Sequence, residues 1–541
     1  TGITSDFLEE VQVKTGGFEA EYGQALGGVI SGIVRSGTND VKGRVGVYVE
    51  PRSLASQGKM ASLIRGMIND QVGPQTTDIG LQAGGPFIKD RAFWFVAYNP
   101  VKNWNDEIVK TDDPRNPLRL ADPTTASTYL DQNFMPNDSQ TVRGDRKRDN
   151  YAAKFNFVAS ANHRFELTAF GDPSKGYGNL GTNASSAIRF FGRADVNGDG
   201  TLESMSRVPA DAAGGAFAST IKYGAHQQSL RYTGLFGSDW FVEAQVNHRK
   251  NDFTETSTVN DFRFRDRRMV LDANLAPQPV VGGSGFTGPT TDKTMDYSLK
   301  ITKTLGSHEI KAGFQYFDLK YSAASTYSGP TFNVPFRHAV SDGEGGWVAD
   351  TNPATMNIYV PTVSGALVDV RGGYGAGNCD PTNPIYGVNC ATDPIYRVTR
   401  ARFNEPGETS AKDTALFIQD TWSITDKWTV KLGLRSSTQK LKGAGEFVVP
   451  IRQVAAGLFI NDPQSFKPNS YDFDTEWSPR FGVTFDPLGN GKVKFYASAA
   501  RYFERVPSDL AVRQFSNEFG VSKFEFTDPN LTTRRGTTGS P

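Results

Sequence analysis

From Arg44 onward, apolar and polar positions alternate with a period of two, in pairs of short runs joined by a handful of turn residues. In YAAKFNFVASANHRFELTAF, Phe165, Leu167 and Ala169 alternate with Arg164, Glu166 and Thr168, and Ser160-Ala161-Asn162 supplies the turn. In SLRYTGLFGSDWFVEAQVNHR, Trp240, Val242, Ala244 and Val246 share one face, and Glu243, Gln245 and Asn247 the other, around a turn at Gly237-Ser238-Asp239. The pattern recurs in IGLQAGGPFIKDRAFWFVAY, turning near Lys89-Asp90, and in MDYSLKITKTLGSHEIKAGFQYF, turning at Gly306-Ser307. It returns in TALFIQDTWSITDKWTVKLGLR, with a turn at Thr425-Asp426-Lys427, and in PRFGVTFDPLGNGKVKFYASAARYF, with a turn at Gly489-Asn490-Gly491. Alternation bounded by Gly, Asn and Asp turns is the signature of β-hairpins. Six hairpins and one further strand near Arg44–Val49 predict about 13 strands.

Connections between hairpins are of a different order, running roughly from Arg249 to Asp296, Lys320 to Lys412 and Lys440 to Trp477. Loops of that length are uncommon in compact domains. Short turns alternating with long loops match an outer-membrane barrel, with periplasmic turns on one rim and extracellular loops on the other. The alternation then has a physical reading. Trp428, Val430, Leu432 and Leu434 face lipid, while Thr429, Lys431, Gly433 and Arg435 face a wet lumen. Phe93, Trp94, Phe95 and Tyr98 cluster at a strand start, as an interfacial aromatic girdle would. A soluble β-protein with a half-buried sheet also alternates, but it leaves the loop asymmetry unexplained.

Composition sharpens this picture at three points. Among 541 residues there are 37 Phe, 19 Tyr and 56 Gly, an enrichment suited to strands and turns. The mean hydropathy of -0.44 resembles that of a soluble protein. Lumen-facing polar residues dilute the hydropathy of a barrel, so this value does not exclude one. Lys+Arg and Asp+Glu both number 58, a balance without the basic surplus of a nucleic-acid binder. No apolar run of 18 residues exists to form a transmembrane helix, and the first residues carry no signal-peptide pattern. An odd strand count and the polar ending TTRRGTTGSP predict a fragment, cut at both ends.

The opening stretch GFEAEYGQALGGVISGIVRSGTND, Gly17 to Asp40, is glycine-rich but carries neither a Walker loop nor a G-x-G-x-x-G fingerprint. VQVKTGGFEAEYGQALGGVISGIVRSGTND resembles the end of the plug domain of TonB-dependent outer-membrane receptors, most closely their Oar-like branch. The likeness extends through GGPFIKDRAFWFVAY, FIQDTWSITDKWTVKLGLR and SPRFGVTFDP. Ser31-Gly32-Ile33-Val34 departs from the Asn-containing strand common there. The resemblance implies an all-β protein: the C-terminal part of a plug over residues 1–42, then the N-terminal portion of an antiparallel transmembrane β-barrel over 43–541. It also implies about 22 strands in the complete barrel, a lumen wide enough to need a plug.

Candidate chemistry is sparse. In DVNGDGTLE, Asp195, Asn197 and Asp199 with Gly200 match the first half of a calcium loop, with Thr201 and Glu203 as further ligands. Ser206 stands where an EF-hand needs Glu, and a plain Asn/Gly/Asp turn is the alternative. Cys379 and Cys390 bracket a Pro/Asn-rich loop and read as a local disulfide, against the alternative of two free thiols. The histidines, His163, His226, His248, His308 and His338, are scattered, and Ser284 in GGSGF lacks the second glycine of a nucleophile elbow. Arg371 to Asn378, RGGYGAGN, reads as a surface loop. No enzyme activity is expected.

The resemblance implies energy-coupled transport of a scarce or large substrate across the outer membrane of a Gram-negative bacterium. It further implies a TonB-type inner-membrane energising complex as partner, and an iron chelate, vitamin, glycan, peptide or protein as ligand. A passive outer-membrane adhesin or structural barrel, and a soluble carbohydrate-binding protein, are the alternatives.

Overall fold

The computed structural model describes residues 3–23, 27–54, 68–110, 140–177, 193–194, 203–204, 219–257, 263–266, 280–282, 286–324, 326–327, 331–364, 367–371, 395–398, 407–443, 447–466, 470–507 and 524–526. Its main feature is one antiparallel sheet in which thirteen strands follow one another in sequence order, from Lys42–Glu50 to Phe495–Ala500. All six expected turns join neighbouring strands, between Ile88 and Ala92, Ser160 and His163, Phe236 and Trp240, Leu305 and His308, Ser423 and Trp428, and Phe485 and Phe495. Asp90, at φ 64°, holds the left-handed conformation in the first of them. Asp486 caps the last by accepting the main-chain N–H groups of Leu488, Gly489 and Gly491 at 3.2, 2.9 and 2.6 Å.

Register is continuous over long distances, which keeps the two faces chemically distinct. Ser219–Phe236 pairs with Trp240–Ser257 through every residue, and Phe286–Leu305 with His308–Ala323 from Thr290↔Ala323 to Leu305↔His308. Along Gly407–Ser423, Thr409, Ala411, Asp413, Ala415, Phe417 and Gln419 are buried, while Leu416 and Ile418 are more than half exposed. Along Trp428–Lys442, Arg435 and Leu441 are buried and Trp428, Leu432 and Leu434 exposed, as the alternation predicts. The outer face is an apolar band, continued by Leu230, Val246, Tyr297, Leu299 and Phe481.

Rings collect at the short-turn rim of this face. Phe87 packs on Trp94 and Phe155, His163 on Tyr232 and Phe236, and Trp422 on His308. Trp428 stacks on Phe485 at 4.3 Å. The expected girdle is present, with a correction for Phe93 and Phe95, which share one parity. Phe95 is 5% exposed on the opposite face, under Phe7. Its parity in the strand decides this, since Phe95 shares the side of Ala97 and Asn99, both buried.

The strands also run longer than the hairpin motifs. Ile68–Ile88 and Gln140–Ser160 have 21 residues each, against about 9–11 needed to cross a bilayer. At the far rim the long connections are not wholly irregular. Thr331–Ser341 pairs with Trp347–Ala349, Asn357–Ser364 and Leu458–Ile460, uniting two connections in one small sheet.

With lipid against the outer face, Ile418→Arg should destabilise the folded chain by about 2–4 kcal/mol in a vesicle refolding assay. An unchanged unfolding midpoint would place lipid elsewhere.

Candidate functional site

The described residues of 3–40 form no strand of the large sheet; they lie against its polar face. Leu8–Lys14 and Val29–Val34 pair antiparallel, and the FEAEYG segment loops out between them. Sequence explains the looping: Gly17 adopts φ 62°, a conformation that only glycine takes without cost.

Two carboxylates anchor the loop. Glu19 receives Lys431 Nζ at 2.7 Å and Lys14 Nζ at 3.1 Å. Glu21, whose side chain is 10% exposed, receives Lys300 at 2.8 Å and Lys311 at 3.0 Å. Main-chain groups are clasped as well. Arg480 donates to the carbonyls of Phe18, at 3.2 Å, and Glu19, while Arg435 donates to that of Ala20 at 3.3 Å. Gln419 Oε1 accepts the N–H of Glu21 at 3.1 Å, and Gln315 donates to its carbonyl at 3.3 Å. Ala20 itself is fully buried. A Cβ built on Gly433 would come within 2.9 Å of the Ala20 methyl, so the wall needs glycine there.

Further along, Phe7 packs on Phe95, Ala97 and Ala152, and Lys154 donates to the carbonyl of Val34 at 3.0 Å while pairing with Glu166. Phe18 meets Tyr502 edge-on at 5.5 Å. One short segment therefore touches strands near both ends of the path, at Phe95 and Arg480, and in its middle, at Lys300. A flat sheet of thirteen strands would span about 60 Å at the usual interstrand spacing. The sheet must curl around the segment.

The motif SGTND ends the segment at the short-turn rim. A Cβ on Gly37 would overlap the main-chain oxygens of Trp94 and Gly85, so the backbone there lies directly on the first hairpin. Asn39 Nδ2 donates to Asp90 Oδ1 at 2.5 Å, and Asn39 Oδ1 accepts the Asp90 N–H at 2.8 Å. This reciprocal pair fastens the chain just before its first wall strand.

Burial pushes the Glu19 carboxyl up, but the hydrogen bonds from Lys431 and Lys14 outweigh it and hold the group at about 2. Burial acts on Glu21 in the same way, and Lys300 and Lys311 again lower it. Both carboxylates are ionised at neutral pH. A depressed pKa contributes stability above the ordinary carboxylate value, lost as pH falls through the folded value.

The candidate ligands Asp195, Asn197, Asp199 and Thr201 lie outside the described residues. Of Glu203 only the backbone is described, with Glu203–Ser204 pairing to Arg193–Ala194 on the two sides of that stretch. Cys379, Cys390, Ser284 and residues 372–378 also lie outside them. Each histidine has its own partner: Tyr232 for His163, Tyr151 for His226, Gln228 for His248, Asp420 for His308 and Asp350 for His338. Among the described residues no group of three metal-ligating side chains converges. Sequence reasoning missed Glu19, Glu21 and their lysines, whose only signal was two acidic residues two apart in an otherwise small-residue stretch.

Glu21→Gln should leave Lys311 without this charge partner and Lys300 with only Glu243, at 3.6 Å, and cost about 2 kcal/mol or more in docking of the segment. Hydrogen exchange of residues 16–23 would report it as faster opening; equal exchange would refute the latch. Protection of the same amides should fall as pH drops from about 4.5 toward 2, following the Glu19 carboxyl.

Comparison with known proteins agrees with this geometry. The chain is 26% identical over 557 residues to the TonB-dependent transporter Oar of Myxococcus xanthus, covering 96% of this chain and 46% of that protein. Its fold matches the outer membrane transporter YddB from Escherichia coli with a TM-score of 0.51 at 11% identity, over 94% of this chain and 50% of that one. The chain thus spans about half the length of the relatives it matches. The model of the outer membrane beta barrel domain matches residues 33–541. A sheet with a polar inner face, an apolar outer face and a ring of aromatics at one rim is what that family requires, and the chain belongs to it, an outer-membrane β-barrel protein.

Proposed function

We propose that this chain is part of an energy-coupled transporter, with residues 1–42 as the C-terminal part of a plug and 43–541 as the N-terminal portion of the barrel. One observation carries the reading: besides the apolar cluster around Phe7, a segment inside the barrel is held to the wall by ion pairs and hydrogen bonds through Glu19, Glu21 and the main chain of FEAEYG. Polar latches of this kind exchange for water contacts when broken, so their net worth is small beside their number. Such a plug is seated when idle and displaced without unfolding the wall. The name of the 26%-identical relative, a TonB-dependent transporter, supports the same reading.

In this mechanism the force comes from a TonB-type inner-membrane complex, acting on the plug from the periplasmic side. Ligand captured by the loops favours one plug state over another, as any population shift requires. Glu19 and Glu21 leave Lys431, Lys300 and Lys311, and the vacated wall offers a cationic, water-filled path. The cargo is a substrate too scarce or too large for diffusion through a porin. The SGTND clasp lies at the boundary between the displaced segment and the wall, so the pull ends there.

The test uses Phe18→Cys in the full-length protein with Cys379 and Cys390 replaced by serine. Phe18 is buried against the wall, so an impermeant maleimide should label Cys at this position only in cells with an intact proton gradient and energising complex. Labelling that ignores both would favour a passive barrel or adhesin.

A further inference from the structure

The docked segment leaves a recess on its loop side. Along Trp428–Lys442 the segment meets Lys431, Gly433 and Arg435. The recess continues from Arg435 over Ser437 and Gln439, which lie farther from the short-turn rim. Ser478 and Arg480, on the paired strand Glu476–Phe485, and Arg505 complete its walls. Together with the solvent at its mouth it has a volume of about 370 Å³. A solute entering between the long loops reaches this recess before it reaches FEAEYG.

The stretch that follows strand Phe495–Ala500 packs over the recess. Gln439 holds Val506 by both main-chain groups, accepting its N–H and donating to its carbonyl, each at 3.1 Å. Arg505 pairs with Asp413 and lies over the ring of Phe317 at 3.5 Å. Tyr502 takes the guanidinium of Arg480 on its ring at 4.8 Å, and the same ring meets Phe18 edge-on. The carboxylate of Asp413 is therefore already engaged by Arg505.

Two buried arginines form the floor. Arg435 is 4% exposed and Arg480 7%, and they project to the same face from adjacent strands, Arg435 opposite Ser478 and Gly433 opposite Arg480. A buried cation is costly unless an anion or several hydrogen bonds compensate it. Among the described residues neither arginine forms an ion pair; Glu476 and Glu504 line the recess without bonding to either. Arg435 donates to Ser437 Oγ at 3.0 Å and to the Ala20 carbonyl at 3.3 Å. Arg480 donates to the carbonyls of Phe18 and Glu19, and its buried Nε has no hydrogen-bond partner. All of these acceptors are neutral, and all but Ser437 belong to the docked segment.

We propose that this recess is an oxyanion site, taking the acid group of an incoming solute, a carboxylate or phosphate, between Arg435 and Arg480, and that its occupant competes with the docked segment for the same guanidinium N–H groups. Hydrogen bonds from a guanidinium to an ionised oxygen are about twice as strong as those to a neutral carbonyl, and the planar fork accepts two oxygens at once. An acid group at the floor therefore takes donors from the carbonyls of Phe18, Glu19 and Ala20. The segment loosens there while Glu19 and Glu21 keep their lysines. By linkage, the seated segment lowers the affinity for the acid group by the same factor. The inference rests on the docked segment and is independent of an energising partner.

The test follows hydrogen exchange of the amides of residues 18–21 in the full-length protein in neutral detergent. Sodium chloride is replaced stepwise by sodium acetate or by sodium phosphate at constant ionic strength. At least one of the two anions should speed exchange by about tenfold, with saturation; acetate alone assigns a carboxylate, and phosphate alone a phosphate. Ser478→Asp places a fixed carboxylate opposite Arg435, so it should exchange fast in chloride and respond to neither anion. The titration of the unaltered protein decides the proposal even where this variant does not fold. Exchange equally slow in all three salts would overturn the oxyanion site and leave the docked segment standing. Exchange already fast in chloride would refute the docked segment, and the site with it.

Discussion

Backbone N–H and C=O groups in a bilayer have no water to bond, so each must pair within the protein. For a chain without long apolar helices this leaves a sheet that bends back toward itself, and the rest of the structure follows. Because side chains alternate across a sheet, every strand serves two solvents at once. Leu416 and Ile418 go to lipid while Asp413 and Gln419, one or three positions away, go to the lumen. The long unbroken registers are the cost-free way to keep those solvents separate, since a slip of one residue would exchange them.

A polar interior creates the second problem. Lys300, Lys311, Lys431, Arg435 and Arg480 all face inward, and cations so placed demand partners. The N-terminal segment meets the demand with two carboxylates and a row of carbonyls. Wall and segment are thus mutually dependent: the lysines position FEAEYG, and FEAEYG neutralises the lysines. The Arg435 and Arg480 contacts go to main-chain oxygens, so they read the path of the backbone and tolerate changes in its side chains. Only Ala20, opposite Gly433, is fixed by volume.

Much of the fold was legible because hairpins are local. Gly237, Gly306 and Gly489 mark turns that the structure places where the sequence does, and their strands are adjacent in chain order. Phe95 was misplaced because a cluster of four rings was read as one belt, when parity divides it between two faces. The latch was not legible. Glu19 and Lys431 are 412 residues apart, and Glu21 and Lys311 are separated by 290. No periodicity connects them, and lysine is common on polar faces everywhere.

The central claim, that the FEAEYG segment sits inside the barrel against the strand Trp428–Lys442, is tested most directly by a cross-link. Glu19→Cys with Lys431→Cys, in a full-length protein whose Cys379 and Cys390 are serine, places thiols on two side chains whose polar ends meet at 2.7 Å. A short bifunctional thiol cross-linker applied to outer membranes should join them, seen as a shift in gel mobility. Two thiols that stay separate, while each labels freely with maleimide, would contradict the account.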